Sequence, residues 1–252
     1  SFSMVASAEE TTHGDVLYPV KQVLEKASVV LTVNDSARVE KQTELAGKRV
    51  NELKSLAIRF ELSEGSEQSV NRTVRDLKRD IEAAKASFAA VKESGDQEAI
   101  IEVAAKVEQD TGELVKEIEK VTNSLPTAVQ VSMQEEMSEV AAVVESTNEE
   151  AFEVIVGGGI FDTTVSEDAI TQKLNDRVRA AQEQFAERNI AGWIAAATDI
   201  EEGQSEALED LQKQYDETVT EIEVLFGEKD YMGVLSAVSD IKDITKTVDD
   251  VM

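Results

Sequence analysis

Cysteine is absent from the chain, which excludes disulfides, thiolate metal sites and a cysteine nucleophile together. Only one histidine occurs, His13, beside Gly14 and ahead of the first apolar periodicity. With no second imidazole, a histidine zinc site or a histidine acid–base pair has no support. Proline appears twice, at Pro19 and Pro126, glycine 12 times in 252 residues, and aromatics make up 4%. Strands draw on aromatic and β-branched residues joined by glycine-rich turns. Their scarcity, with Ala, Val, Glu and Lys abundant, argues for long helices over a sheet. The expected fold class is all-α. No stretch approaches the roughly 18 consecutive apolar residues of a membrane span.

Basic residues are missing from one long stretch. None lies between Lys120 and Lys173, where Glu135, Glu136, Glu139, Glu145, Glu149, Glu150, Glu153, Asp162, Glu167 and Asp168 all fall. The net charge of -27 is therefore uneven: residues 1–92 carry 14 basic and 14 acidic side chains, and residues 93–252 carry 11 and 38. Such a field repels nucleic acid and anionic lipid and attracts cations or basic partners. A solvated helix face shows the same pattern. The partner class expected is a protein with a basic surface, with a divalent cation as the weaker alternative and no nucleic acid.

Periodicity organises the rest. A first helix starts at Pro19, whose missing amide hydrogen suits a first turn, and Val20, Val23, Leu24, Ala27, Val30 and Leu31 mark its expected packing face. Asn34-Asp35-Ser36 supplies a turn and cap. The second helix then steps through Val39, Thr43, Ala46, Val50, Leu53, Ala57 and Phe60, and the third through Val70, Val74, Leu77, Ile81, Ala84, Phe88 and Val91. These alternating steps of four and three residues are heptad seams, which predict antiparallel helices packed as in a coiled coil. A fourth helix opens at Asp96 and a fifth at Pro126, running to Gly157-Gly158-Gly159. Ser166 caps a sixth, a long stretch covers Ile190 to about Phe226 with Gly203 as its point of interruption, and a last helix starts at Asp230.

About eight helices in elongated antiparallel hairpins are thus expected. The divisions are a tail at 1–13, a helical-bundle region at 14–156, a glycine-rich linker at 157–165 and an acidic helical region at 166–252. An internal repeat marks the last of these. Residues 185–200 align without a gap to 226–241, with identities at Phe185/Phe226, Glu187/Glu228, Gly192/Gly233, Ala196/Ala237, Asp199/Asp240 and Ile200/Ile241. A weaker third copy begins at Asp96. Each copy places Asp or Asn where a helix needs an N-cap, so the repeated unit is a helix-turn-helix corner.

Reactive constellations are scarce. Gly157-Gly158-Gly159 lacks the following Lys-Ser/Thr and the preceding strand of a phosphate loop. Trp193 occupies a repeated apolar position and is expected in the core. Glu201, Glu202, Glu206, Glu209 and Asp210 could offer oxygens to calcium or magnesium, but no alternating acidic loop with its central glycine is present. No catalytic, cofactor-binding or metal residue is assigned, and no cofactor or enzymatic activity is expected.

Gly14-Asp15-Val16-Leu17-Tyr18-Pro19-Val20-Lys21, followed by a valine- and leucine-bearing helix, resembles the opening of a bacterial extracytoplasmic family of unknown function. The resemblance covers about residues 14–60. Val16 stands where that family often has proline, which leaves the turn less rigid. The resemblance implies export but brings no activity and no catalytic residues. Ala6-Ser7-Ala8 ahead of Glu9-Glu10 has the small-x-small form of a signal-peptidase site, and reads either as an export remnant or as an expression scar. The function expected is a non-enzymatic scaffold or protein-interaction module of the bacterial cell envelope. The alternative is an acidic binding module for divalent cations or a basic peptide.

Overall fold

A computed structural model describes residues 11–12, 15, 18–59, 66–158, 166–196 and 202–252. The described residues are all-α, and the chain divides into two compact units, Ser1–Gly158 and Gly159–Met252.

The first unit holds α1 (Tyr18–Val30), α2 (Asp35–Arg59), α3 (Ser66–Glu93), α4 (Gln97–Ser124), α5 (Thr127–Ser132) and α6 (Gln134–Gly157). Local chemistry sets the ends. Asn34 Oδ1 accepts from the Ser36 amide at 2.8 Å, and Asp96 Oδ1 accepts from the Ala99 amide at 3.3 Å. Gly95, at φ 76, supplies the left-handed residue ahead of the second cap. α4 stops where Leu125 turns extended, because a residue before proline is pushed out of the helical region. The single helix expected from Pro126 is divided: Met133, wholly buried, bends the chain between α5 and α6 at φ -115 and ψ 5. α6 in turn continues through Gly157. A Cβ at Gly158 would fall 2.7 Å from Ile101 Cδ1 and 3.1 Å from the Val154 carbonyl oxygen, so a larger residue there would require Ile101 to shift.

α2, α3, α4 and α6 form the bundle. α2 runs antiparallel to α3, while α2 with α4 and α3 with α6 are parallel pairs, as shown by Thr43–Asp110 and Lys54–Glu117 and by Lys78–Glu139 and Lys92–Glu150. The heptad seams are buried as expected at Val39, Ala46, Val50 and Leu53 and at every α3 seam position. Phe60 lies outside the described residues. Seam positions Thr43, Thr111 and Thr147 form buried polar sites within this core. The Asn148 amide donates to Thr111 Oγ1 at 3.0 Å and to the Glu108 carbonyl at 2.7 Å.

α1 reverses the expectation. Its valine and leucine stripe faces outward, with Val23 67% and Val30 81% exposed, while Tyr18 and Lys21 are buried against the bundle. Its polar side faces inward because α2 and α3 offer buried partners of opposite charge.

The second unit holds α7 (Glu167–Ala186), α8 (Ile190–Ala196), α9 (Glu202–Glu228) and α10 (Tyr231–Val251). The stretch expected from Ile190 is two helices: α8 ends at Ala196 and α9 begins at Glu202, beside the interruption expected near Gly203. α9 and α10 pair as a hairpin, with the Gln204 amide reaching the Val251 carbonyl at 3.4 Å. α7 runs parallel to α10, joined by Glu167–Tyr231 at one end and Arg188–Asp249 at the other. Phe185 stacks on Tyr215 with ring centroids 3.8 Å apart. Trp193 is half-buried, a correction to the core position expected for it.

Physical causes for the repeat appear at its glycines. A Cβ at Gly192 would fall 2.2 Å from Asn189 Nδ2, and one at Gly233 would fall 2.7 Å from Asp230 Oδ2. Asp230 accepts from the Gly233 amide at 2.9 Å. Gly233 therefore makes room for the Asp230 cap, and Gly192 leaves the equivalent space to the Asn189 side chain three residues before it.

Candidate functional site

The densest polar constellation lies where α1 crosses α2 and α3, and its centre is Arg49, whose side chain is 1% exposed. A guanidinium offers five donors in a planar fork, and here the fork reaches three carboxylates. Nη1 donates to Glu52 Oε1 at 2.7 Å, Nε donates to Asp80 Oδ2 at 3.2 Å, and Nη2 donates to Glu25. Lys21 Nζ donates to the same Glu52 Oε1 at 2.5 Å and to the Thr11 carbonyl at 2.9 Å. Arg79 holds Asp76 at 2.5 Å and Asp80 at 2.8 Å. Tyr18 Oη sits between Glu52 Oε2 at 3.3 Å and Asp76 Oδ2 at 3.4 Å, and Gln22 Nε2 donates to Asp76 at 2.9 Å.

These surroundings raise three titrating groups above their ordinary ranges. Burial, helped by the Glu52 charge, pushes the Tyr18 phenol above its ordinary range. Burial opposes the Arg49 charge, but Glu52 and Glu25 outweigh it and leave the guanidinium held more firmly than usual. Burial raises the Asp80 carboxyl, against the pull of Arg79 and Arg49. A phenol locked protonated and a guanidinium locked charged make poor proton-transfer groups near pH 7. The constellation is built as a clamp: its residues hold α1 onto the hairpin. Glu25 Oε1, buried without a hydrogen-bond partner, is its one unsatisfied oxygen among the described residues.

Two grooves offer open surface. Between α2 and α4 a groove of about 510 Å³ is floored by Gly47, Val50 and Leu114 and rimmed by Glu40, Glu44, Asp110, Glu113 and Glu117 with Lys54 and Lys106. Its charges are largely paired internally. Lys106 meets Asp110 at 2.6 Å, and Lys41 and Lys48 flank Glu44 at 2.7 and 3.0 Å. Hydrogen bonds from Lys120 and Lys54 pull the Glu117 carboxyl down to about 2.

Within the second unit, α9 and α10 enclose a shallow groove of about 620 Å³ over Leu211 and Ile244. Glu217, Glu221, Asp240 and Asp243 line it, and no lysine or arginine does. Sequence reasoning placed acidity in this region but did not single out these four. Their signal was the spacing: Glu217 and Glu221 stand four apart and Asp240 and Asp243 three apart, each pair on one face of its helix.

Of the residues weighed for metal binding, Glu206, Glu209 and Asp210 are exposed on α9, while Glu201 and the side chain of Glu202 lie outside the described residues. No group of three or more His, Asp or Glu among the described residues is placed to hold an ion. His13 also lies outside them. No described helix is long and apolar enough to cross a membrane.

No curated protein and no solved structure matches the chain. A family match runs from residue 10 to residue 250, well beyond the 14–60 segment on which the resemblance rested, and it includes the clamp and the acidic hairpin alike. The chain belongs to the family described as a domain of unknown function, DUF5667.

Proposed function

We propose that the chain is a non-enzymatic interaction module of the bacterial cell envelope, and that its acidic second unit meets a partner carrying a basic surface. The observation that carries this reading is the α9–α10 groove, where Glu217, Glu221, Asp240 and Asp243 face solvent over an apolar floor, with no lysine or arginine in the lining and Lys213 flanking it 3.8 Å from Glu217. A lysine- or arginine-bearing segment supplies the missing charge, and its alkyl stems cover Leu211 and Ile244. The polar constellation on α1, α2 and α3 supports the non-enzymatic part, because its charges hold helices together. The Gly14–Lys21 opening and Ala6-Ser7-Ala8 support export.

Calorimetric titration with a lysine-rich peptide tests the reading. Binding is expected at low salt and is expected to weaken steeply as salt screens exposed charges. Replacing Glu221→Lys and Asp240→Lys together abolishes it while helicity is kept. Absence of binding at low salt, or binding that the double replacement leaves intact, overturns the assignment. Protease accessibility of the full-length protein on intact cells tests the compartment, and a fully protected protein counts against export.

A further inference from the structure

The outward stripe of α1 is an interface in search of its other half, and we infer that the other half is a second copy of the same stripe, so that the chain pairs with itself through α1. Val20, Val23, Leu24, Ala27, Val30 and Leu31 repeat at three- and four-residue spacing, so they form one continuous ridge on the helix surface. Val23, Val30 and Leu31 are 67, 81 and 77% exposed, and Val33, just beyond the helix, is 92% exposed. The helix cannot turn this face inward, because Lys21 and Tyr18 on the opposite side are tied to Glu52.

Area and charge choose the occupant. From their fractional exposures the large apolar side chains of the ridge present on the order of 650 Å², above the ~300–600 Å² of the largest patch on a typical monomer. Two such ridges can bury at most roughly 1,300 Å², which reaches the lower end of the about 1,200–2,000 Å² of specific protein interfaces. The acidic excess lies in residues 93–252, so the later helices of two copies repel, whereas residues 1–92, which hold α1, carry equal numbers of basic and acidic side chains. On the α1 ridge Glu25, the single carboxylate of this helix, is turned inward onto Arg49, so α1 itself projects no acid toward an approaching copy. A two-fold contact then matches the ridge to itself. An anionic lipid surface fits less well, since Lys26 is the only exposed cation on the helix and the net charge repels it.

Sedimentation velocity on the full chain from about 1 to 200 µM tests the inference. A dimer with micromolar dissociation is expected. Val23→Glu with Leu31→Glu should weaken it by roughly 100-fold or more, because each copy would bury unpaired charges, while circular dichroism stays unchanged. The absence of native cysteine allows a second readout: Ala27→Cys, at the middle of the ridge, should cross-link copies under mild oxidation, and Ile58→Cys on α2 should not. A chain that stays monomeric to 200 µM overturns the inference. So does a dimer indifferent to the glutamates, or a monomer whose ridge instead binds anionic vesicles.

Discussion

Lys21 Nζ lies 2.5 Å from Glu52 Oε1, with the two side chains only 6 and 5% exposed, and this contact joins the opening motif to the middle of α2. Taking both charges out of water is costly, and attraction offsets the cost only when the remaining lone pairs and protons find partners. Here they do: Arg49 and Tyr18 reach the same carboxylate, and Thr11 takes a further Lys21 donor. The motif therefore works through its polar members. Tyr18 and Lys21 anchor α1, and Val20 between them faces solvent.

Removing the centre of the clamp should be severe. Arg49→Met leaves Glu52 and Asp80 short of a buried counter-charge and Glu25 without its partner, and a loss of about 3–5 kcal/mol is expected in urea unfolding of the first unit. Lys21→Met should cost less, because Arg49 still holds Glu52. Equal losses from the two replacements would show that Arg49 is not the hub.

Tyr18 makes stability depend on alkaline pH. Its folded phenol keeps the proton above the usual range, whereas the unfolded phenol releases it near pH 10. Above that pH the unfolded state binds fewer protons, so stability falls as pH rises, by up to about 1.4 kcal/mol per pH unit from this group. Tyr18→Phe should flatten the decline between pH 10 and 11 relative to the parent. Identical slopes in urea titrations at those pH values would remove Tyr18 from the account.

Glycines at two kinds of position should respond in opposite directions. Gly47 sits inside α2 with nothing within 4 Å of an added Cβ, so Gly47→Ala should stabilise the first unit by about 1 kcal/mol. At Gly233 the added Cβ meets Asp230 Oδ2 and Leu225 Cδ2, both at 2.7 Å, and the Asp230 cap is displaced. A loss of about 1–2 kcal/mol from the second unit follows. Chemical unfolding resolves the two signs, and a stabilising Gly233→Ala would contradict the capping role given to the repeat.

Where one energetic term dominated, the sequence was readable. The α2 and α3 seams, the caps at Asn34, Asp96, Ser166 and Asp230, and the all-α class follow from local rules of spacing and hydrogen bonding. α1 was misread because hydrophobic periodicity identifies an apolar face but not which way it points, and its direction was decided by Arg49 and Glu52, 24 to 34 residues away in sequence from their α1 partners. The bend at Met133 carries no glycine or proline, so nothing local announced it. The α9–α10 groove required knowing that 217–221 and 240–243 line the same cleft, which is a property of pairing.

Thr111 and Thr147 separate a hydroxyl that acts between helices from one that does not. Both are buried seam residues that donate to their own helix, Thr111 to the Val107 carbonyl at 2.6 Å and Thr147 to the Val143 carbonyl at 2.7 Å. Only Thr111 also accepts from a neighbouring helix, through the Asn148 amide at 3.0 Å. Thr147→Val keeps the shape and removes a bond whose carbonyl partner already serves the helix, so it should cost less than about 1 kcal/mol. Thr111→Val removes an acceptor from a half-buried amide and should cost about 1–2 kcal/mol. Because Asn148 also reaches the Glu108 carbonyl, Asn148→Ala combined with Thr111→Val should cost less than the sum of the two single losses. Strict additivity in that double-mutant cycle would show that the amide and the hydroxyl do not communicate across α4 and α6.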